Sequence, residues 1–283
     1  MDPAHLTPTH LTPTHLTPTH LTKEQAMGDF DGKVILITGA TSGLGATAAI
    51  SLAGKGAKVA ITGRREEQGH AVLAQIEAAG GEGLFIRTDV TVRADVEAMV
   101  ARTVERFGRL DGAVNNAGMV ASALTAVADI SEENWLATIS TNLTAVFLSM
   151  KYEIPALLAS GGGSIVNMAS MAGLVASDIG GADYAASKHG VIGLTKTAAV
   201  DYGQQGLRIN ALCPAYCHSE MVDPFVEAMP DLFGKVISRH SAMNRLGESQ
   251  EVADAIEWLL SAKSSFVNGA AIPLDGGETT RLY

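Results

Sequence analysis

The 283-residue chain is 47% hydrophobic and only 18% charged, which excludes global disorder, yet it has no apolar run of the roughly 18 residues that a membrane span needs. Twenty basic against 30 acidic residues leave a net charge of -10, and the longest basic cluster is Arg64-Arg65, which excludes a nucleic-acid groove. The start, MDPAHLTPTH, has neither the basic nor the apolar region of a secretory signal, so a reducing cytoplasm is expected, and two cysteines, Cys213 and Cys217, fit it.

The first 26 residues differ from the rest. HLTPT recurs from His5, His10 and His15, with a partial copy at His20. Pro8, Pro13 and Pro18 each remove a backbone donor, and a period of five matches neither helix nor strand, so residues 1–26 are expected to be a disordered tail. Evenly spaced histidines imply no fixed ligand geometry, and Cys213, Cys217 and His218 lack a second cluster, so no metal is expected. Met27 stands directly before the folded pattern and is expected to open the working protein.

From residue 33 short apolar runs alternate with helical segments. KVILITG (33–39) precedes an alanine-rich helix over 45–56, KVAITG (58–63) a helix to about 79, and LFIRTDV (84–90) a helix to about 107. GAVNNAG (112–118) precedes a helix near 132–160, and SIVNMAS (164–170) one that runs to about 204. LRINALCP (207–214), a helix over 249–262 and AAIPLDGG (270–277) complete the series. Parallel neighbours need crossovers, and helical crossovers cover the sheet, so the order predicts a Rossmann-type, doubly wound, parallel seven-stranded α/β sheet. Without a Pro/Gly/Ser-rich linker, residues 27–283 read as one domain.

TGATSGLG, Thr38 to Gly45, lies where the first strand turns into the first helix. Gly39, Gly43 and Gly45 let the backbone approach a pyrophosphate at a helix N-terminus, although the spacing is G-x-x-x-G-x-G and not G-x-G-x-x-G. The second strand ends at Gly63, followed by Arg64 and Arg65, with no carboxylate before Glu66. A ribose 2′-hydroxyl is usually held by a carboxylate near this point and a 2′-phosphate by arginine, so NADP(H) is preferred, with NAD(H) possible. Tyr184 and Lys188 stand one helical turn apart, about 6 Å along the axis. A phenol with a pKa near 10 needs help to act at neutral pH, and an adjacent ammonium stabilises its phenolate. Ser170, at the end of the preceding strand, stands where ligands collect in parallel sheets and can polarise a carbonyl.

Over residues 30–278 the sequence resembles the short-chain dehydrogenase/reductase superfamily in its single-domain, NADP-preferring, 3-oxoacyl-reductase-like form. TGATSGLG, with Thr41, Ser42 and Leu44, looks like its cofactor loop. NNAG, with Asn116, Ala117 and Gly118, looks like its strand-four motif. Asp89-Val90 resembles the pair beside the adenine, and LDGG (274–277) the end of its last strand. The resemblance implies a homotetramer or homodimer, with Tyr184 as proton donor or acceptor and Ser170 on the substrate oxygen. It also implies that Lys188 binds the nicotinamide ribose and lowers the tyrosine pKa, that Asn142 holds a relay water, and that Pro214, Cys217 and Ser219 lie on the nicotinamide side.

The departures are Ala215 in place of glycine, Ser219 in place of threonine, Cys217 in place of an aliphatic residue, and one extra residue between Ser170 and Tyr184. The last change predicts a bulging loop, MAGLVASDIGGAD, at the substrate mouth. Residues 219–240 resemble the family's mobile lid in position, the alternative being an apolar helix face packed on the domain; as a lid, Met221, Phe225, Met229, Leu232 and Phe233, with Met119 and Met171, favour an apolar or alicyclic substrate. The expected function is NADPH-dependent ketone reduction of a small molecule, a ketoreductase activity. The rivals are NAD(P)+-dependent oxidation of an alcohol, diol or sugar, and a non-catalytic dinucleotide sensor or scaffold. Deleting residues 1–26 is expected to leave turnover and Tm unchanged; a fall in either, by assay or thermal denaturation, contradicts the tail assignment.

Overall fold

The structure, a computed structural model, describes residues 28–176 and 181–280, with the side chains of Arg239 and His240 left aside. The HLTPT tract and residues 177–180 of the expected loop lie outside that range. The chain begins with β1 (Val34–Ile37), α1 (Gly43–Gly54), β2 (Lys58–Gly63), α2 (Glu66–Ala78), β3 (Glu82–Arg87) and α3 (Arg93–Phe107). Next come β4 (Gly112–Asn115), α4 (Glu132–Ile139), α5 (Ala145–Ala159), β5 (Gly163–Met168) and α6 (Ala182–Tyr202). The remaining elements are β6 (Leu207–Pro214), α7 (Asp223–Ala228), α8 (Pro230–His240), α9 (Ser249–Leu260) and β7 (Ala271–Leu274).

All seven strands are parallel, in the order β3-β2-β1-β4-β5-β6-β7. All four residues of β1 are buried, because the sheet is covered on both sides. Ile35 and Ile37 face a core built with α1, α2 and α9; Val34 and Leu36 face the other, built with α3, α5 and α6. The chain winds outward from β1 through β2 to β3, then returns to place β4 on the opposite side of β1. The loops that leave β1 and β4 therefore part, and a crevice opens at the carboxyl ends of the strands.

Several elements are shorter or more broken than the sequence pattern predicts. β1 stops at Ile37, β4 at Asn115 and β5 at Met168. Thr38 N and Ala169 N each keep one bond to the neighbouring strand, to Val114 O at 3.0 Å and Leu212 O at 2.8 Å, whereas Asn116 N turns back to Val114 O at 3.1 Å. The single helix expected near 132–160 is α4 and α5 joined by a π-helical stretch, Ser140–Thr144. That wider turn contains Asn142, and such turns mark functional positions in many helices. Residues 219–240 form two helices, α7 and α8, parted at Met229, where Pro230 starts the second.

Beneath the crevice lies a buried polar row. Asn115 Nδ2 donates to Glu153 Oε2 at 3.1 Å and to Asn167 Oδ1 at 2.9 Å, and Asn167 Nδ2 donates to Thr195 Oγ1 at 2.9 Å. Glu153 Oε1 and Asn115 Oδ1 are buried with no hydrogen-bond partner. Burial pushes the Glu153 carboxyl up to about 8, against a smaller opposing effect of the Asn115 bond. The folded protein then keeps a proton that the unfolded chain gives up above about 4.5, so this group makes stability fall as pH rises from about 4.5 to about 8. Glu153→Gln, a neutral isostere, is expected to match the wild type in denaturant midpoint near pH 5 and to exceed it increasingly towards pH 8. A constant difference across that range contradicts a protonated Glu153.

Candidate active site

The crevice is a cavity of about 580 Å³ enclosed by the loops that follow β1 to β6. It is lined by Gly39, Thr41, Ser42, Gly43 and Leu44 from the first loop, Arg64 and Arg65 from the second, and Asp89 and Val90 from the third. Asn116, Ala117 and Gly118 follow β4, Ser170 follows β5, Tyr184 and Lys188 come from α6, and Pro214, Cys217 and Ser219 come from the end of β6 and beyond. Of the residues expected at the site, Gly45 and Asn142 are not in the wall.

Each of those two supports the wall from behind. A Cβ on Gly45 would fall 2.5 Å from Asn116 Nδ2 and 2.8 Å from Gly39 O, so this glycine packs α1 against the loops and does not face a pyrophosphate. Asn142 Oδ1 accepts from Met119 N and its Nδ2 donates to Met119 O, both at 2.8 Å, with a further bond to Ser187 Oγ at 3.3 Å. Its amide is thus committed to the loop after β4, and the π-helical turn presents it there.

A dinucleotide fits the glycine loop. Gly43 has φ +54°, and a Cβ there would meet only Ser219 Cβ at 3.7 Å and Glu220 N at 3.8 Å, so the crest of the loop is bare. Ser42 makes no capping hydrogen bond to α1, which leaves first-turn N–H groups for an anion. The two arginines differ. Arg64 has no hydrogen bond or ion pair among the described residues and lies close enough to Asp89 to help lower its pKa, after the larger effect of the Thr91 hydroxyl. Arg65 donates to both Glu220 oxygens at 2.7 and 2.8 Å and to Ser42 Oγ at 2.6 Å. Both arginines line the cavity, and they differ in that the Arg65 guanidinium is on the Glu220 carboxylate.

Ser170 lies two residues beyond β5 and caps a short 3₁₀ turn, its Oγ accepting from Ala172 N at 3.2 Å. Its hydroxyl bonds that of Tyr184 and pulls the tyrosine pKa down, but burial outweighs this, and the net shift is upward. Lys188 Nζ donates to Met168 O at 2.7 Å and lies 5.5 Å from the centre of the Tyr184 ring; burial pushes its pKa down to about 8. The start of α6 is anchored by Asp183, whose Oδ2 accepts from Thr138 Oγ1 at 2.7 Å, and by Ser187 Oγ, which donates to Tyr184 O at 2.7 Å.

On the far side of Ser170 the wall is apolar. Met119, Met171, Met221, Phe225, Met229, Leu232 and Phe233, all expected near a substrate, line it together with Tyr216. Tyr216 stacks edge-on to Phe233 at 5.8 Å. Neither Tyr216 nor Glu220 was recognisable in the sequence, because each stands in an irregular stretch whose course only the folded chain defines.

Fold and cavity together define a dinucleotide-binding α/β oxidoreductase. Residues 39–279 match the family described as enoyl-(acyl carrier protein) reductase. A cyclohexanol dehydrogenase of Acinetobacter sp. (strain SE19) is 41% identical over 253 residues, 89% of this chain and 97% of that protein. An A-factor type gamma-butyrolactone 1′-reductase of Streptomyces virginiae is 41% identical over 248 residues, 87% and 95% of the two chains. The crystal structure of levodione reductase superposes with a TM-score of 0.85 at 35% identity, covering 89% of this chain and 100% of that one. The chain belongs to the short-chain dehydrogenase/reductase superfamily and is an oxidoreductase acting on CH–OH and C=O groups. Tyr184→Phe is expected to keep fold and dinucleotide binding while turnover drops roughly 100- to 10,000-fold; turnover within a few-fold of wild type takes the proton-transfer role from Tyr184.

Proposed function

We propose that the protein is an NADPH-dependent carbonyl reductase of neutral, apolar, alicyclic ketones. The observation that carries this reading is the convergence of Ser170, Tyr184 and Lys188 where the polar, glycine-rich half of the cavity meets its apolar half. When bound, the nicotinamide supplies or accepts a hydride. The Ser170 hydroxyl donates to the substrate oxygen, and the Tyr184 hydroxyl gives that oxygen its proton. Lys188, held at Met168 O, is placed to bind the cofactor ribose and to replace the positive charge's lost water with fixed partners. Asn142 holds the loop of Met119 in place.

Substrate class follows from the lining. Among the described residues of the wall the cations are Arg64, Arg65 and Lys188, all on the polar side, so a charged substrate would find no counter-ion in the apolar half. The names of the relatives, a cyclohexanol dehydrogenase and reductases of a butyrolactone and of levodione, support a ring-bearing substrate. The first of these names also favours a second reading, oxidation of a cyclic alcohol with NAD(P)+, which the same residues serve in reverse.

NADP(H) preference rests on Arg64, which is free of bonded partners beside Asp89. We further assign residues 1–26 to a tail separate from a single catalytic domain, 27–283, and place the protein in the cytoplasm, where the free thiols of Cys213 and Cys217 persist. No helix among the described residues is long and apolar enough to cross a membrane. A homotetramer or homodimer is supported by exposed apolar side chains such as Leu136 and Phe147 on α4 and α5.

NADPH oxidation, followed by nicotinamide absorbance over cyclic ketones, quinones and 3-oxoacyl thioesters, is expected to show turnover with the cyclic ketones. Turnover confined to the thioesters overturns the substrate class, and silence with all three beside turnover of cyclohexanols reverses the direction. In the same assay Arg64→Ala is expected to raise the NADPH KM about tenfold, the size of one lost charge-assisted bond, and to spare NADH. Equal losses for both cofactors refute the placement of the 2′-phosphate.

A further inference from the structure

One ion pair ties together three distant parts of the cavity rim. Arg65, at the start of α2, and Glu220, between β6 and α7, are 155 residues apart, and Ser42 of the glycine loop completes the group. The Glu220 carboxylate receives two guanidinium N–H bonds and the Ser42 hydroxyl, and Arg65 Nη2 lies 3.3 Å from Thr41 Oγ1. A carboxylate gripped by both guanidinium nitrogens shows that this corner is a built anion seat, since phosphate and carboxylate oxygens present the same bidentate spacing to arginine. The seat opens into the cavity beside Arg64 and Asp89, at the cofactor end. It also restrains the lid, for Glu220 immediately precedes the apolar residues Met221 and Phe225 that cover the other end.

We propose that Glu220 is a specificity-determining residue: an internal competitor of the ribose 2′-phosphate for Arg65 and Ser42, which narrows the enzyme's preference for NADP(H) over NAD(H). With NAD(H) bound, a 2′-hydroxyl leaves the Arg65–Glu220 pair intact. With NADP(H), the phosphate has Arg64 free but must share or take Arg65, and it meets a carboxylate of like charge on the same guanidinium. Both members of the pair are half-exposed, at 42% and 55%, so the pair itself is weak and displaceable. A 2′-phosphate on the same guanidinium also meets the carboxylate's like charge, and this repulsion acts on one cofactor only.

The inference rests on the dinucleotide reading of the cavity, and the test separates the two. Dissociation constants of NADPH, NADH, adenosine 2′,5′-bisphosphate and 5′-AMP are measured by fluorescence or calorimetry for the wild type and Glu220→Gln. Glu220→Gln is expected to tighten NADPH and the bisphosphate about tenfold, a gain of about 1.4 kcal/mol, and to leave NADH and 5′-AMP within about twofold. The two nucleotides lack a nicotinamide, so they report the adenosine end without the lid. Equal shifts for NADPH and NADH assign Glu220 to lid closure alone and overturn the proposal, as does an unchanged or weaker affinity for NADPH. Wild-type protein that binds neither dinucleotide removes the cofactor reading and this inference with it. Wild-type protein that prefers NADH, with a shift towards NADPH in the variant, upholds Glu220 while correcting the preference.

Discussion

Parallel strands must all end on the same side, and this constraint governs the rest of the molecule. Because β1 and β4 lie side by side while their following segments leave in different directions, no backbone closes over their carboxyl ends. Thr38, Asn116 and Ser170 all sit just past a strand end; Thr38 N still donates to Val114 O, while Asn116 and Ser170 turn out of the sheet, Asn116 N donating back to Val114 O and Ser170 O accepting from Gly173 N. The crevice is thus a consequence of connectivity, and the side chains that line it exploit a gap that the sheet leaves.

Keeping such a gap open requires rigid surroundings. Asn142 clamps Met119 through both ends of its amide, and Asn116 Nδ2 reaches Thr38 O and Gly39 O at 3.0 Å, so the two diverging loops are fastened to their neighbours. The row from Glu153 through Asn115 to Asn167 fixes the sheet beneath them, with burial keeping the carboxyl of Glu153 protonated far above its usual range. Burial also acts on the titratable groups above, raising the pKa of Tyr184 and lowering that of Lys188.

The two ends of the cavity are held differently. The end at Ser170 is built on α6 and the turn after β5, with buried partners for Lys188 and Asp183. The end at the glycine loop is closed by exposed charge, Arg65 against Glu220. Glu220 immediately precedes Met221, so the charged corner and the apolar wall are joined by one segment of chain.

The seven strands were legible in the sequence because a strand buried on both faces must be a short run of apolar residues, as KVILITG and KVAITG are. TGATSGLG, Ser170, and the Tyr184–Lys188 pair were legible because their chemistry depends on local spacing, one turn of helix or one tight loop. Strand ends were less so: periodicity does not mark where Asn116 leaves the ladder, since that depends on whether a neighbour still runs alongside. The π-helical turn at Asn142 was hidden within a helical pattern, because neither the wider turn nor the bonds of Asn142 to Met119 leave a mark on apolar periodicity. Most of all, the partner of Arg65 was not legible. Two charges 155 residues apart meet only when the sheet brings the ends of β2 and β6 to one rim, so the sequence by itself determined the fold and the candidate site residues, while the tertiary structure alone decided which of the two arginines is free.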